Sequence, residues 1–303
     1  MFTFAHLSDP HLTSLDHISW TALLNKRIMG YVSWKTRRRD EHRREVLDLL
    51  QTSLLRHTLD HIVITGDLTH LGLPQEFQEA RLWLDSLQTI ADTTVIPGNH
   101  EAYVPTSYES TLKQWEPYFQ SDILHNGDHT GRTRGPFPSL RIRGPVAFIG
   151  VSTACPTAPF LATGNLDKRQ LAEMTDIIRS LRDRTLFKVL LIHHPPLPQT
   201  VRWRKRLTNT EQLQEVLSRF PVDLILHGHS HKCTLEFLAT PDNRTPIVGV
   251  PSASARGEHP GDESQYCLFH LTREADAFTL SASLYSYVQK QEAFLFSRHL
   301  HLS

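Results

Sequence analysis

The sequence predicts an α/β protein, and three observations carry that reading. Short apolar runs that end in polar residues recur along the chain. Stretches with apolar residues three and four apart lie between several of them. The C-terminal part alternates apolar with polar side chains, as antiparallel strands do.

The strand candidates, in order, are FTFAHLSDPH (2–11), LDHIVITGD (59–67), TTVIPGNHE (93–101), PVAFIGVST (145–153), FKVLLIHHPP (187–196), VDLILHGHSH (222–231) and PIVGVPSAS (246–254). Helical spacing marks Glu45–Leu59, Pro74–Leu87 and Asp167–Leu181, the last with Asp167 and Thr163 as N-cap candidates. YCLFHLT (266–272) and AFTLSASLYSYV (277–288) close a sheet as antiparallel strands. Without repeats or clear linkers, 1–303 reads as one domain. It carries an insertion at about 14–44 and a loop-rich insertion at about 103–139, the latter with Gly127, Gly131, Gly135, Pro136 and Pro138.

The 303-residue chain is ample for a buried core, and its 39% apolar and 21% charged residues suit a soluble domain. Its formal net charge of zero argues against whole-surface binding of nucleic acid, so no nucleic-acid partner is expected, and no protein partner is implied. Cys155, Cys233 and Cys267 are scattered and lack C-x-x-C spacing, which suggests a reducing compartment. No apolar run reaches the roughly 18 residues of a spanning helix. MFTFAHLSDPH has no basic leader segment. A cytoplasmic location is expected, with contact to a membrane surface left open.

The chemistry gathers at the strand ends: Asp9 and His11; Asp67 after Gly66; Asn99 and His100 after Gly98; His193 and His194; His229 and His231 after Gly228. Loops at strand ends are where α/β folds bind ligands. Carboxylate, imidazole and amide oxygen suit borderline divalent metals. So many donors make two sites rather than one. Two ions about 3.5–4 Å apart clamp an in-line displacement at phosphorus. Mn²⁺, Fe²⁺ and Zn²⁺ all suit such donors, with Mn²⁺ the first expectation.

In this order, D-x-H, G-D, G-N-H-E, H before Pro, and G-H-x-H resemble the calcineurin-like metallophosphoesterases, over at least Phe2 to Ser254. The resemblance implies a four-layer α-β-β-α sandwich of two mixed sheets. It implies one metal on Asp9, His11, Asp67 and His231, and another on Asp67, Asn99, His193 and His229. It gives His100 the role of stabilising phosphoryl charge or protonating the leaving oxygen, with Asn99 beside it in the catalytic pair. Glu101 is a candidate for orienting His100. His193 is preferred to His194 as ligand because it stands where the strand ends; His194 then supports the ligands or touches substrate.

The stretch LNKRIMGYVSWKTRRRDEHRR (24–44) mixes apolar and cationic residues and leaves just after His11. Trp20, Leu23, Leu24, Ile28, Tyr31 and Trp34 recur at helical spacing. Such a segment reads as a helix packed on its own domain with a solvated basic face, as a nucleic-acid contact, or as a lipid contact. Lys26, Arg27, Tyr31, Trp34, Arg37, His194, Arg202 and Arg204 are the candidate substrate or membrane contacts. The NKRxxGYxxW…RR pattern is similar to a bacterial branch of these phosphoesterases. That likeness implies cleavage of UDP-2,3-diacylglucosamine to UMP and 2,3-diacylglucosamine 1-phosphate in lipid A synthesis, a lipid-linked nucleotide met at the cytoplasmic face of the inner membrane. The rival is a soluble cyclic-nucleotide or glycerophosphodiester phosphodiesterase.

Overall fold

Successive side chains of a strand point to opposite faces, so a strand buried on both sides must feed two cores. Val146 and Phe148, Val189 and Leu191, and Leu224 and Leu226 join one cluster, while Ala147 and Ile149, Leu190 and Ile192, and Ile225 join another. In the computed structural model this alternation belongs to the central strands of one of two sheets. Described are residues 1–12, 14–16, 18–122, 135–182, 184–239, 244–257, 261–274 and 277–302.

The elements are β1 (Phe2–Leu7), α1 (Arg27–Ser33), α2 (Arg44–Leu54), β2 (His61–Ile64), α3 (Pro74–Gln88), β3 (Asp92–Val95), β4 (Ser139–Arg143), β5 (Val146–Gly150), α4 (Lys168–Ser180), β6 (Phe187–Leu191), α5 (Thr210–Arg219), β7 (Leu224–His227), β8 (Thr234–Ala239), β9 (Arg244–Gly249), β10 (Gln265–Glu274), β11 (Ala277–Val288) and β12 (Ala293–Leu300). One sheet runs β12-β11-β10-β1-β2-β3, the other β4-β5-β6-β7-β9-β8. Both are mixed. β1, β2 and β3 are parallel, as are β5, β6, β7 and β9, while β10, β11, β12, β4 and β8 pair antiparallel. The inner faces meet in one core, where Phe4 of β1 and Phe148 of β5 lie edge to face at 5.5 Å. α2 and α3 pack their apolar faces into that core, through residues such as Leu50, Phe77 and Trp83. Met174 and Ile177 of α4, with Leu213 and Leu217 of α5, cover the outer face of the second sheet. At the sheet edges, Asp92 of β3 bonds Arg141 (3.0 Å) and Arg143 of β4.

Helix starts follow the capping chemistry. Asp167 accepts from Gln170 N at 2.8 Å and opens α4; Thr163 has no part in it. Pro74 stands at the first position of α3, and Glu76 accepts from the His70, Leu71 and Leu73 N–H groups (2.6, 3.0 and 2.9 Å). One expectation needs correction. The helix expected over 45–59 ends at Leu54, because Leu55 is 65% exposed and the chain turns through Arg56 and His57 towards β2. Within the region 103–139 a 3₁₀ segment, Leu112–Tyr118, buries Trp115 and Tyr118 in the main core. Gly127 and Gly131 lie outside the described residues.

The expected apolar stripe of the first insertion divides. The segment is a 3₁₀ turn (Trp20–Leu23), then α1, then a π-helical turn (Trp34–Arg38), so it keeps no single helical face. Leu23 and Trp34 pack with Leu15, Leu71 and Leu73 in a small separate cluster. Trp20, Leu24, Ile28 and Val32 face outward.

Candidate metal centre

Parallel β1 and β2 end side by side, and their exits stay zipped: Asp9 N donates to Gly66 O (2.9 Å) and His11 N to Asp67 O (3.1 Å). The β7 exit meets them, with His229 N donating to Asp9 Oδ2 at 3.0 Å. The exit after β3 meets them too, with His100 N donating to Asp67 Oδ1 at 2.8 Å. Two glycines allow this closeness. A Cβ on Gly228 would stand 1.9 Å from Ser8 Oγ, and one on Gly98 2.3 Å from Asp67 Oδ1. Five side chains here are carried on left-handed backbone: Asp9 (φ 49°), His11 (41°), Asp67 (55°), His229 (64°) and His231 (53°).

Candidate donor atoms of Asp9, His11 and His231 lie within 4.8 Å of one another; so do those of His11, Asp67 and His100, and those of Asp67, His193 and His229. Asp67 thus stands in two groups. His193 Nε2 is 3.3 Å from Asp67 Oδ2 and 3.2 Å from Asn99 Oδ1, so Asn99 joins the third. His231 Nε2 is 3.2 Å from Asp9 Oδ1.

Backbone carbonyls fix which ring nitrogen faces inward. His11 Nδ1 donates to Thr69 O (2.9 Å), His193 Nδ1 to Thr65 O (2.6 Å) and His229 Nε2 to Lys205 O (2.8 Å). The remaining nitrogens, His11 Nε2, His193 Nε2 and His229 Nδ1, are the ones left for a metal, the arrangement seen around histidine ligands generally. His11 Nε2 and Asp9 Oδ1 are buried without a hydrogen-bond partner. Buried polar atoms without partners are costly unless something else meets them. The donor chemistry and these orphaned atoms fit divalent cations. Burial, with neighbouring imidazoles, holds His11 and His229 well below the ordinary histidine range, in the neutral form a ligand needs. Burial also works against charge on Asp67 and His193. Their mutual attraction overcomes it, holding Asp67 well below the carboxylate range and pushing His193 up to about 9.

A family model described as calcineurin-like phosphoesterase matches residues 2–233. The chain belongs to the calcineurin-like phosphoesterases. A 3′,5′-cyclic-nucleotide phosphodiesterase of Nostoc is 28% identical over 229 residues, 75% of this chain and 73% of that one. A glycerophosphodiester phosphodiesterase of Enterobacter lignolyticus is 26% identical over 234 residues, 76% of this chain and 71% of that one. A dimetal phosphatase from Danio rerio shares the fold, with TM-score 0.62 and 13% identity over 93% of this chain and 95% of that one. As a calcineurin-like phosphoesterase, this chain is a dinuclear metallophosphoesterase, for which two divalent ions are expected. Bound here, they would polarise a phosphoryl oxygen and lower the pKa of the attacking water.

The residues around this centre divide sharply. His100 Nδ1 donates to His70 O (2.5 Å), so its Nε2 is the acceptor, and it takes a hydrogen bond from Arg38 Nη1 (3.0 Å) beside a cleft of about 740 Å³. Glu101 does not touch His100. Its carboxylate accepts from Asp67 N (2.9 Å), Gly98 N (2.6 Å), Thr69 N (2.9 Å) and Thr69 Oγ1 (3.1 Å), tying together the loops that carry Asp67 and Asn99. Burial and the Asp67 charge push Glu101 up to about 7 against the pull of those N–H groups. His194 is buried rather than open to substrate. It bonds Thr153 Oγ1 (2.7 Å) and Ala162 O (3.2 Å), and its ring lies 4.3 Å from that of His229.

Among the expected substrate contacts, Lys26, Trp34 and Arg204 line the cleft. Lys26 Nζ also donates to Thr157 O at 2.9 Å, latching the insertion to the loop before α4. Arg27 is buried and donates to Leu71 O (2.9 Å) and Gly72 O (2.7 Å), so it is a structural clamp and not a phosphate contact. Trp34 is 4% exposed, which removes it from any membrane face. Tyr31 and Arg202 stand outside the cleft wall, Tyr31 packed on Trp34 and Arg202 exposed. The Arg37 side chain lies outside the described part of the structure. Sequence reasoning passed over His42, His70, Arg38 and Lys205. His42 and His70 lie 4.5 and 5.0 Å from the His11 ring, centroid to centroid, while Arg38 and Lys205 line the cleft. No sequence spacing ties them to the ligands; only the folded insertion and the 3₁₀ turn Trp203–Lys205 bring them there.

Proposed function

We propose that this phosphodiesterase hydrolyses the pyrophosphate bond of UDP-2,3-diacylglucosamine, releasing UMP and 2,3-diacylglucosamine 1-phosphate for lipid A synthesis. The observation that supports this most is the two-sided character of the cleft. Its lining includes Asn99, His100, Arg38, Arg204 and Lys205, and also apolar residues from two segments: Ile28, Met29, Val32 and Trp34 of the insertion, and Pro159, Phe160 and Leu161 of the loop before α4. A lining that is both charged and apolar suits an anionic head carrying acyl chains. Ile28, Val32 and Phe160 of the lining are exposed, as are Trp20 and Leu24 beyond it, which favours contact with a lipid surface at the cytoplasmic face of the inner membrane. No helix among the described residues is long and apolar enough to cross a membrane, so the contact would be peripheral.

On this reading residues 14–44 act as a cap on a single domain. Asp9, His11, Asp67 and His231 hold one ion, and Asp67, Asn99, His193 and His229 the other, with Mn²⁺ as the native metal. His100 then faces the leaving oxygen from the cleft side.

A second reading is a cyclic-nucleotide or glycerophosphodiester phosphodiesterase, because two relatives carry those activities in their names. Mn²⁺-loaded protein offered UDP-2,3-diacylglucosamine, 3′,5′-cyclic AMP and a glycerophosphodiester side by side separates the two. UMP release supports the lipid substrate. Turnover of the cyclic nucleotide or the glycerophosphodiester alone ends that assignment and leaves the second reading.

A further inference from the structure

The basic run of the insertion looks in sequence like a uniform cationic face, but its charges have separate fates. Lys26 and Arg27 are spent on backbone carbonyls. Arg39 pairs with Asp16 (3.0 Å), Arg43 with Asp40 (3.2 Å) and Arg44 with Asp48 (3.4 Å). Arg38 differs. Its Nη1 donates to His100 Nε2 at 3.0 Å, and among the described residues no carboxylate lies within ion-pair distance of it. It is only half-exposed and lines the cleft beside Asn99 and His100. Its charge bears on His42, His70, His100 and Lys205, so the groups it faces are bases and another cation. A guanidinium in such company lacks its natural partner, an anion able to take two parallel N–H bonds.

Resting on the phosphodiesterase reading, we propose that Arg38 is a phosphate-binding catalytic residue supplied by the insertion. It donates to His100 Nε2 in the free protein and passes to a non-bridging phosphoryl oxygen when an ester occupies the cleft. The exchange does two things at once. It places a fixed cation where negative charge builds up on the phosphoryl group. It also frees His100 Nε2 to face the leaving oxygen. The π-helical turn Trp34–Arg38 sets the side chain for this: Trp34 is anchored in the small cluster with Leu71 and Leu73, and Arg39 N closes the turn on Trp34 O at 2.9 Å.

The test uses metal-loaded full-length protein and bis-p-nitrophenyl phosphate, a diester without acyl chains, so its outcome does not depend on the lipid substrate. Arg38→Ala is expected to lower kcat/KM by about 100-fold, to weaken competitive inhibition by inorganic phosphate by about tenfold or more, and to leave metal content and Tm unchanged. Added guanidinium should restore part of the rate to Arg38→Ala. Lys35→Ala, an exposed neighbour of like charge, should behave as wild type. Should Arg38→Ala fail to fold, Arg38→Lys carries the same reading, keeping the charge but losing the two-pronged contact. The proposal is overturned if kcat/KM and phosphate inhibition stay within about twofold of wild type. Metal loss that accounts for the whole fall in rate, or an equal fall in Lys35→Ala, overturns it as well. If wild type cleaves this diester but not the lipid substrate, only the substrate assignment of the previous section falls.

Discussion

Replacing Glu101 by Gln tests how the two halves of the metal centre are held in register. The carboxylate oxygens accept in pairs: Oε2 from Asp67 N and Gly98 N, Oε1 from Thr69 N and Thr69 Oγ1. An amide keeps only one acceptor oxygen. In the better orientation the NH₂ takes the place of Oε1, where the Thr69 hydroxyl can turn to accept from it, and the Thr69 N–H alone loses its acceptor. A bond to a charged acceptor contributes about 1.5–3 kcal/mol, so at least that much is lost. That is a large share of a typical net stability of about 5–15 kcal/mol. With a urea slope near 3 kcal/mol/M, the midpoint should fall by about 0.5–1 M or more. Because the freed loops carry Asp67 and Asn99, metal affinity should fall about 10- to 100-fold. Equilibrium urea unfolding and metal titration read the two effects separately. A Gln variant with an unchanged midpoint and unchanged metal affinity would mean that the carboxyl already carries a proton, and the reasoning fails.

Three further outcomes follow from buried groups. His193, pushed up to about 9 by Asp67, is protonated at pH 7.5, so loading the metal site should release about one proton; calorimetric heats that do not vary with buffer ionisation enthalpy would contradict this. Burial holds His6 and His61 at about 3 in the fold, against 6.5 unfolded. The unfolded chain therefore binds more protons between these values, and stability present above 6.5 is lost as pH falls, by about 2 kcal/mol per histidine at pH 5. Urea midpoints of His6→Asn and His61→Asn should decline less steeply with acid than wild type, and equal slopes would refute the assignment. Trp34→Ala empties the small cluster under the insertion, and tryptic cleavage within residues 26–39 should quicken by about tenfold or more; an unchanged cleavage rate would show that the insertion docks without it.

The ligand-bearing loops were legible because each combines local signals, an apolar run and a metal-binding residue type at the strand exit, with a glycine added before Asp67, Asn99 and His229. The same holds for Asp167, whose capping role needs only the residues of its own turn. What escaped reading depends on contacts remote in sequence. Arg38 meets His100 across 62 positions, and His42 meets Ser254 across 212. Helical spacing placed Trp20 and Trp34 on one stripe, yet the change from 3₁₀ to α to π geometry sends one outward and buries the other. Arg27 had the composition of a phosphate contact, but it was drawn to carbonyls that the turn after β2 leaves unpaired.

The left-handed backbone at Asp9, His11, Asp67, His229 and His231 sets a selective tension within the chain. Each such residue costs about 1 kcal/mol or more relative to glycine at the same angles. Part of the fold's stability is therefore given up at the positions that catalysis needs. A descendant released from catalysis would be free to drift towards glycine or asparagine there, wherever the hydrogen bonds these side chains make are replaced. Among related chains, glycines at these five positions would mark a fold kept for some purpose other than hydrolysis.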